Sequence, residues 1–200
     1  MNHWSRFDVL AICSRLKEIS SGCLEQEVVL FSYLACILLL YTKKSATEWG
    51  YFFNGTEVGA PYSPDLKLAI DTLLNEHKLV KGEDDLLSLS QEGEDEYEML
   101  KSFYVYSFRE PMLEGACASA LSIPIGLCNE ALAQEPELKE YRSMGRKFRL
   151  LDKNGGGAYD LLYRQLELVY EATKGDQDLA IPATLWMSWL TKQSQSDARL

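Results

Sequence analysis

The chain has 200 residues, 46% of them hydrophobic, enough to bury a core in one domain or two small ones, which excludes disorder as the main state. A surplus of 30 acidic over 20 basic residues gives a formal charge of −10, a field that repels phosphate backbones unless the basic residues gather on one face. Five cysteines, Cys13, Cys23, Cys36, Cys117 and Cys128, form an odd set without a C-x-x-C pair, which fits neither a disulfide framework nor a zinc site; with His3 and His77 the only imidazoles, the inventory of metal ligands and general bases is nearly empty.

The chain opens on "WSRFDVLAICSRLKEI", whose spacing predicts a helix over Ser5 to Ile19, stopped by "SSGC" with Gly22 as its C′ residue. Arg6, Asp8, Arg15, Lys17 and Glu18 among the apolar positions argue against a signal peptide. "VVLFSYLACILLLY", Val28 to Tyr41, is 14 residues long, too short to span a bilayer. Glu25 and Glu27 before it and Lys43 and Lys44 after it match the helix dipole, so it reads as a helix buried on nearly all sides.

Alternating aromatic residues and turn formers from Ser45 to Ser63 predict a loop with strand segments. Ser63 can cap a helix that begins at Pro64 and buries Leu66, Ala69, Ile70, Leu73 and Leu74 along one stripe. "KLVKGEDDLLSLS" then reads as a hairpin with an acidic tip. Ser90 caps a further helix expected to run from Gln91 to Phe108. This order, helix, helix, loop, amphipathic helix, hairpin, helix, is that of a winged-helix module.

Beyond Pro111 the segment to Pro136 is rich in Ala, Gly, Ser and Cys and reads as a tight helix–helix seam rather than a membrane pair. A basic helix over Glu137 to Lys153, a linker "NGGGA", a helix from Tyr159 to Ala172 and a last helix "PATLWMSWLT" complete a helical half, with the tail "QSQSDARL" expected to fray. The fold class expected is mostly α with a small β-hairpin: an N-terminal helix over 1–24, a winged helix over 25–108 and a helical extension over 109–200.

Enzyme chemistry finds little footing. "NGGG" lacks the Lys-Ser/Thr pair of a phosphate loop, the acids from Glu92 to Glu98 suit a solvated helix start, and no motif pairs a serine or cysteine with a base. No catalytic residue, metal site or cofactor is expected. Two surface features remain. A basic patch, Lys139, Arg142, Arg146, Lys147 and Arg149, diluted by Glu137, Glu140 and Asp152, is either a solvated face or a dock for an acidic partner or a nucleic-acid backbone. Leu185, Trp186, Trp189 and Leu190 follow one stripe of the last helix, which either closes the chain's own core or anchors a partner. The outward residues of the Pro64 helix, Asp65, Lys67, Asp71, Asn75 and Glu76, are mostly acidic, the reverse of what a base-reading helix offers.

The stretch from Trp49 to Phe103 resembles a group of small bacterial winged-helix proteins in which an aromatic "GY-F" element precedes "GPYS", an "L--AI--L" helix and a final "L---G---Y" segment. The matching residues are Gly50, Tyr51, Phe53, Gly59, Pro61, Tyr62, Ser63, Leu66, Ala69, Ile70, Leu73, Leu89, Gly93 and Tyr97; Ala60, inserted between Gly59 and Pro61, departs from the pattern. Relatives of the group include phage-associated and antitoxin-like proteins, and the middle components encoded between an SMC-like or ABC-type ATPase and an effector in Lamassu-type antiphage defence. The chain is closer in character to the middle components, which carry a helical extension and no catalytic residues. That resemblance implies a cytoplasmic, non-catalytic scaffold subunit that bridges an ATPase and an effector, reaches DNA only through the complex and touches no membrane. The alternatives are a DNA-binding winged-helix regulator or antitoxin and, on available serines and acids alone, a hydrolase.

Overall fold

A computed structural model describes residues 2–17, 19–144, 149–154 and 156–197. The chain is mostly helical with small antiparallel sheets. Its axis is α2 (Glu25–Tyr41), in which every residue from Val28 to Tyr41 is buried, as the unbroken apolar run predicts. At its start a Glu27 carboxylate oxygen accepts the Leu24 N–H at 2.8 Å, satisfying one of the donors that a helix end leaves open. Packed against α2 are α1 (His3–Lys17), α5 (Glu110–Ser122), α8 (Gly157–Thr173) and α9 (Ala180–Asp197). The small-residue seam is real: a Cβ on Gly115 of α5 would lie 2.6 Å from the Leu179 Cβ, so only glycine lets the chain entering α9 come this close.

Among the described residues no single helix is long and apolar enough to cross a membrane; α5 and α6 (Ile125–Leu132) have the composition together but meet at 116°. The tail expected to fray is helical as far as Asp197, where α9 ends; residues 198–200 lie outside the described residues.

Of the stripe expected of α3 (Pro64–Asn75), Leu66, Ala69, Ile70 and Leu73 are buried and Leu74 is only partly buried against the core, with Pro64 in the first turn. Ser63 precedes it, yet its hydroxyl makes no cap bond and is buried without a partner. The hairpin follows as β3 (Leu79–Lys81) and β4 (Leu87–Leu89), antiparallel across a turn at Glu83–Asp85. Gly22 is not the left-handed C′ residue of α1: it sits outside the helix, where a Cβ would meet the Leu87 carbonyl oxygen at 2.9 Å. Ser90 caps α4 (Gln91–Lys101) by accepting the Gly93 N–H at 3.2 Å.

The expected run of α4 to Phe108 is broken at Lys101, and a short 3-10 turn, Tyr104–Tyr106, follows. Tyr97 and Tyr106 are the cause. Nine residues apart, they would face opposite sides of one continuous helix, each residue adding about 100°. Both rings instead pack on Phe7, at 5.9 and 4.3 Å between centroids, so the chain turns between them.

The basic segment is likewise not one helix. It divides into α7 (Pro136–Met144) and β5 (Arg149–Leu150), which pairs Leu150 with Phe53 and Arg149 with Asn54 of β1 (Phe53–Gly55). With β2 (Pro61–Tyr62) this makes a sheet of order β2-β1-β5. Burial of Leu150 and Leu151 pulls the segment inward against the free edge of β1. Across the β1–β2 turn lies α7: a Cβ on Gly55 would stand 2.7 Å from the Tyr141 ring, and Gly59, at φ +76°, lies under the Arg142 side chain.

Because Leu34 of α2 is fully buried, Leu34→Ala should lower the unfolding free energy by about 2–5 kcal/mol in an equilibrium urea titration, with an unchanged slope. A loss near zero would show that the core does not depend on this helix.

Candidate functional site

Among the described residues, buried ionisable side chains gather around Asp8 and around Glu135, and the expected basic patch and last-helix stripe lie at the surface. The first site is built on Asp8 of α1 and Arg109, the residue that precedes α5, neither of them exposed to solvent. Arg109 donates from Nε to Asp8 Oδ1 at 2.7 Å, from Nη2 to Asp8 Oδ2, and from Nη1 to the Trp49 carbonyl at 2.7 Å. The Tyr51 hydroxyl donates to Asp8 and meets the Ser32 hydroxyl of α2. The guanidinium carbon stands 3.8 Å from the centroid of the Trp49 ring, a close cation–π contact. Burial pushes the Asp8 carboxyl upward, and Arg109 opposes that shift by charge and by hydrogen bonding. The contacts tie α1, the Trp49–Tyr51 segment, α2 and the start of α5 together.

At the second site Glu135 and Glu137 flank Pro136 at the start of α7. Oε1 and Oε2 of Glu135 accept the Glu137 and Leu138 N–H groups at 3.1 and 2.8 Å, and the Tyr33 hydroxyl of α2 donates to Oε2 at 3.2 Å. Glu137, expected as a solvated acid within the basic patch, is 1% exposed and accepts the Leu151 N–H at 2.8 Å, tying α7 to the residue after β5. Burial pushes the Glu135 carboxyl up to about 7 and that of Glu137 to about 8, the neighbouring Glu135 charge adding to the second.

Of the basic patch, Lys139, Arg142 and Arg149 are exposed: Lys139 donates to Gln134 at 3.0 Å, Arg142 lies along Gly59 in the β1–β2 turn, and Arg149 stands over the Phe52 ring at 5.1 Å. Arg146 and Lys147 lie outside the described residues. The last-helix stripe divides. Trp186 and Leu190 are buried in the chain's own core, with the Trp186 indole donating to Gln165 of α8 at 3.3 Å, while Leu185 and Trp189 are 42% and 38% exposed. At about 100° per residue the four span about 140°, too wide for one face, so the inner two close the core and the outer two meet solvent. Ile181, 47% exposed, extends the outer pair to a stripe at four-residue spacing that the sequence reading missed.

Sequence reasoning gave no site role to Asp8, Tyr51, Arg109 or Glu135. A carboxylate inside "FDVLAIC" with apolar neighbours on both sides was the available signal for Asp8. His3 and His77 are exposed.

Removing one member of the buried pair strands a charge, so Asp8→Asn or Arg109→Met should each cost about 3–5 kcal/mol, and Asp8→Leu with Arg109→Met less than the sum of the single losses. Urea titrations of the singles and the double read this directly. For the glutamates the folded chain holds protons more tightly than the unfolded one, whose carboxyls titrate near 4.5, so their contribution is complete below that value and is lost as pH rises through about 7 and 8. The urea midpoint should therefore fall between about pH 5 and pH 9, and Glu135→Gln with Glu137→Gln should flatten that fall. Equal slopes in both proteins would mean that these carboxyls are ionised without cost.

No family model matches the chain, and neither a curated protein nor a solved structure matches it.

Proposed function

We propose that the chain is a non-catalytic accessory subunit of a bacterial antiphage defence complex, holding an SMC- or ABC-type ATPase against an effector. One observation carries the docking role: Ile181, Leu185 and Trp189 stand exposed at four-residue spacing on α9 while the opposite face of the helix is locked into the core. Such a stripe presents large apolar side chains on a rigid element, the arrangement from which interface anchors are made. The assignment to a defence complex rests on the resemblance over Trp49 to Phe103.

The winged-helix reading of residues 25–108 is part of the same proposal. It is supported by the order α2, β1–β2, α3, β3–β4, α4, with α3 in the position of a reading helix and the hairpin in that of a wing. The electrostatics of that face favour protein over duplex. Lys67 is held by Glu25 and Asp71, each at 3.0 Å, Lys78 is held by Glu96 and Glu76, and Lys81 by Asp85 at 2.8 Å. Every lysine of α3 and the hairpin is thus neutralised from within, and Asp65, Glu83 and Asp84 add negative charge where phosphates would sit. A DNA-binding regulator or antitoxin is the competing reading, with the element order alone in its favour.

Two measurements separate them. The isolated chain should give no sequence-selective shift of duplex DNA at physiological salt; retention abolished by changing Lys67 or Asn75 would establish the regulator. Co-expressed with the products of the adjacent reading frames, the tagged chain should form a complex that Leu185→Asp with Trp189→Asp dissolves while the thermal midpoint stays within a few degrees of wild type. Unfolding of that variant, or an undiminished complex, would remove α9 from the interface.

A further inference from the structure

Five thiols are free and buried, and two of them meet: Cys13 Sγ of α1 and Cys23 Sγ stand 3.4 Å apart, each residue at most 2% exposed. We propose that Cys13 and Cys23 are an oxidative modification site, a dithiol that a peroxide converts to a disulfide within the folded chain. An S–S bond needs the sulfurs to close by about 1.3 Å, within reach of small side-chain rotations. The other thiols are placed differently. Cys128 turns to the Ile123 carbonyl at 3.6 Å, and Cys36 lies in the middle of α2.

Access is built beside the pair. A groove of about 540 Å³ between α1, α4 and α5 is lined by Ser14, Arg15, Tyr97, Glu110 and Cys117, so it reaches the residue that follows Cys13. Cys117 lines the same groove and is itself buried. The contact with Cys23, and burial after it, hold the Cys13 thiol well above its usual range, which makes the reaction slow and dependent on excess oxidant.

The step balances as follows. One thiol, as its thiolate, attacks a peroxide oxygen, the O–O bond breaks, and a sulfenic acid forms with release of water once the leaving oxygen takes a proton. The second sulfur then attacks the sulfenic sulfur, forming the S–S bond and expelling a second water. Two thiols lose two electrons and two protons, and one hydrogen peroxide becomes two waters.

The consequence follows from where Cys23 sits. Its backbone N–H donates to Leu87 O at 3.0 Å and its carbonyl accepts the Leu87 N–H at 2.8 Å, so Cys23 is the extra rung at the edge of β4. A disulfide would bolt that rung, and the hairpin with it, to α1.

The test treats the intact folded chain with excess hydrogen peroxide, blocks remaining thiols after denaturation, and maps peptides without reduction. Expected are a Cys13–Cys23 crosslink, an intact mass lower by two hydrogens, and a thermal midpoint raised by roughly 5–10 °C that dithiothreitol reverses. Cys128→Ser should keep all three signals and Cys23→Ala should lose them; Cys13→Ala checks the same loss where the first variant is unstable. Linkage through Cys117 or between molecules, sulfinic or sulfonic products without a crosslink, or a crosslink that forms only in denaturant would overturn the proposal.

Discussion

The buried Asp8–Arg109 ion pair is the interaction on which the rest of this structure depends. It draws together α1, the Ser32 turn of α2, the loop that carries Trp49 and Tyr51, and the start of α5, pieces separated by up to a hundred residues of chain. A purely apolar interior would let these pieces slide, because hydrophobic burial is non-directional. A bidentate guanidinium does not: its donors fix the angle as well as the distance, and a misplaced Asp8 would leave a charge stranded at no solvent exposure. The aromatic residues Trp4, Trp49, Tyr51 and Phe108 close around the guanidinium, so the pair is excluded from water by the same side chains it positions.

From that fixed point α2 sets the geometry of the second half. Being apolar on all sides, it accepts α5, α8 and α9 as well as α1, and the two halves share one core. Tyr33 of α2 reaches the Glu135 carboxylate, and Phe53 of β1 meets the Tyr33 ring edge to face at 5.2 Å, so the helix also orients α7 and the sheet on which α7 lies. The acidic site at the start of α7 is therefore a joint between the halves. It meets α2 at Tyr33, next to the Ser32 that holds Tyr51 and through it Asp8 of α1, so the joint and the anchor grip one turn of the same helix.

What the sequence made legible was whatever rests on one periodicity at a time. The helix Val28 to Tyr41, the stripe of α3, the hairpin and the cap at Ser90 each follow from local spacing, and each is found where spacing puts it. Illegible features depend on partners distant in sequence. Tyr106 leaves the helical register because Phe7 holds it. Arg149 becomes strand because β1 has an open edge. Glu137 reads as a surface acid until α7 folds over Leu151. Asp8 and Arg109 look like two ordinary charges until the fold removes water from both.

The division of α9 bears on how a chain so acidic could carry a partner surface at all. Within Ala180–Asp197 the charged residues are Lys192 and Asp197 alone, so the helix is an almost uncharged strip on a molecule of net charge −10. A partner approaching the acidic α3 and hairpin face must match carboxylates with its own basic groups or meet repulsion. At α9 no such condition holds, and apolar area decides. The inner residues Trp186 and Leu190 hold the helix to the core, which fixes the positions of Leu185 and Trp189 as the proposed docking role requires. A stripe held rigid in this way loses little conformational entropy on docking, and that economy is what distinguishes an anchor from an exposed apolar residue on a mobile segment.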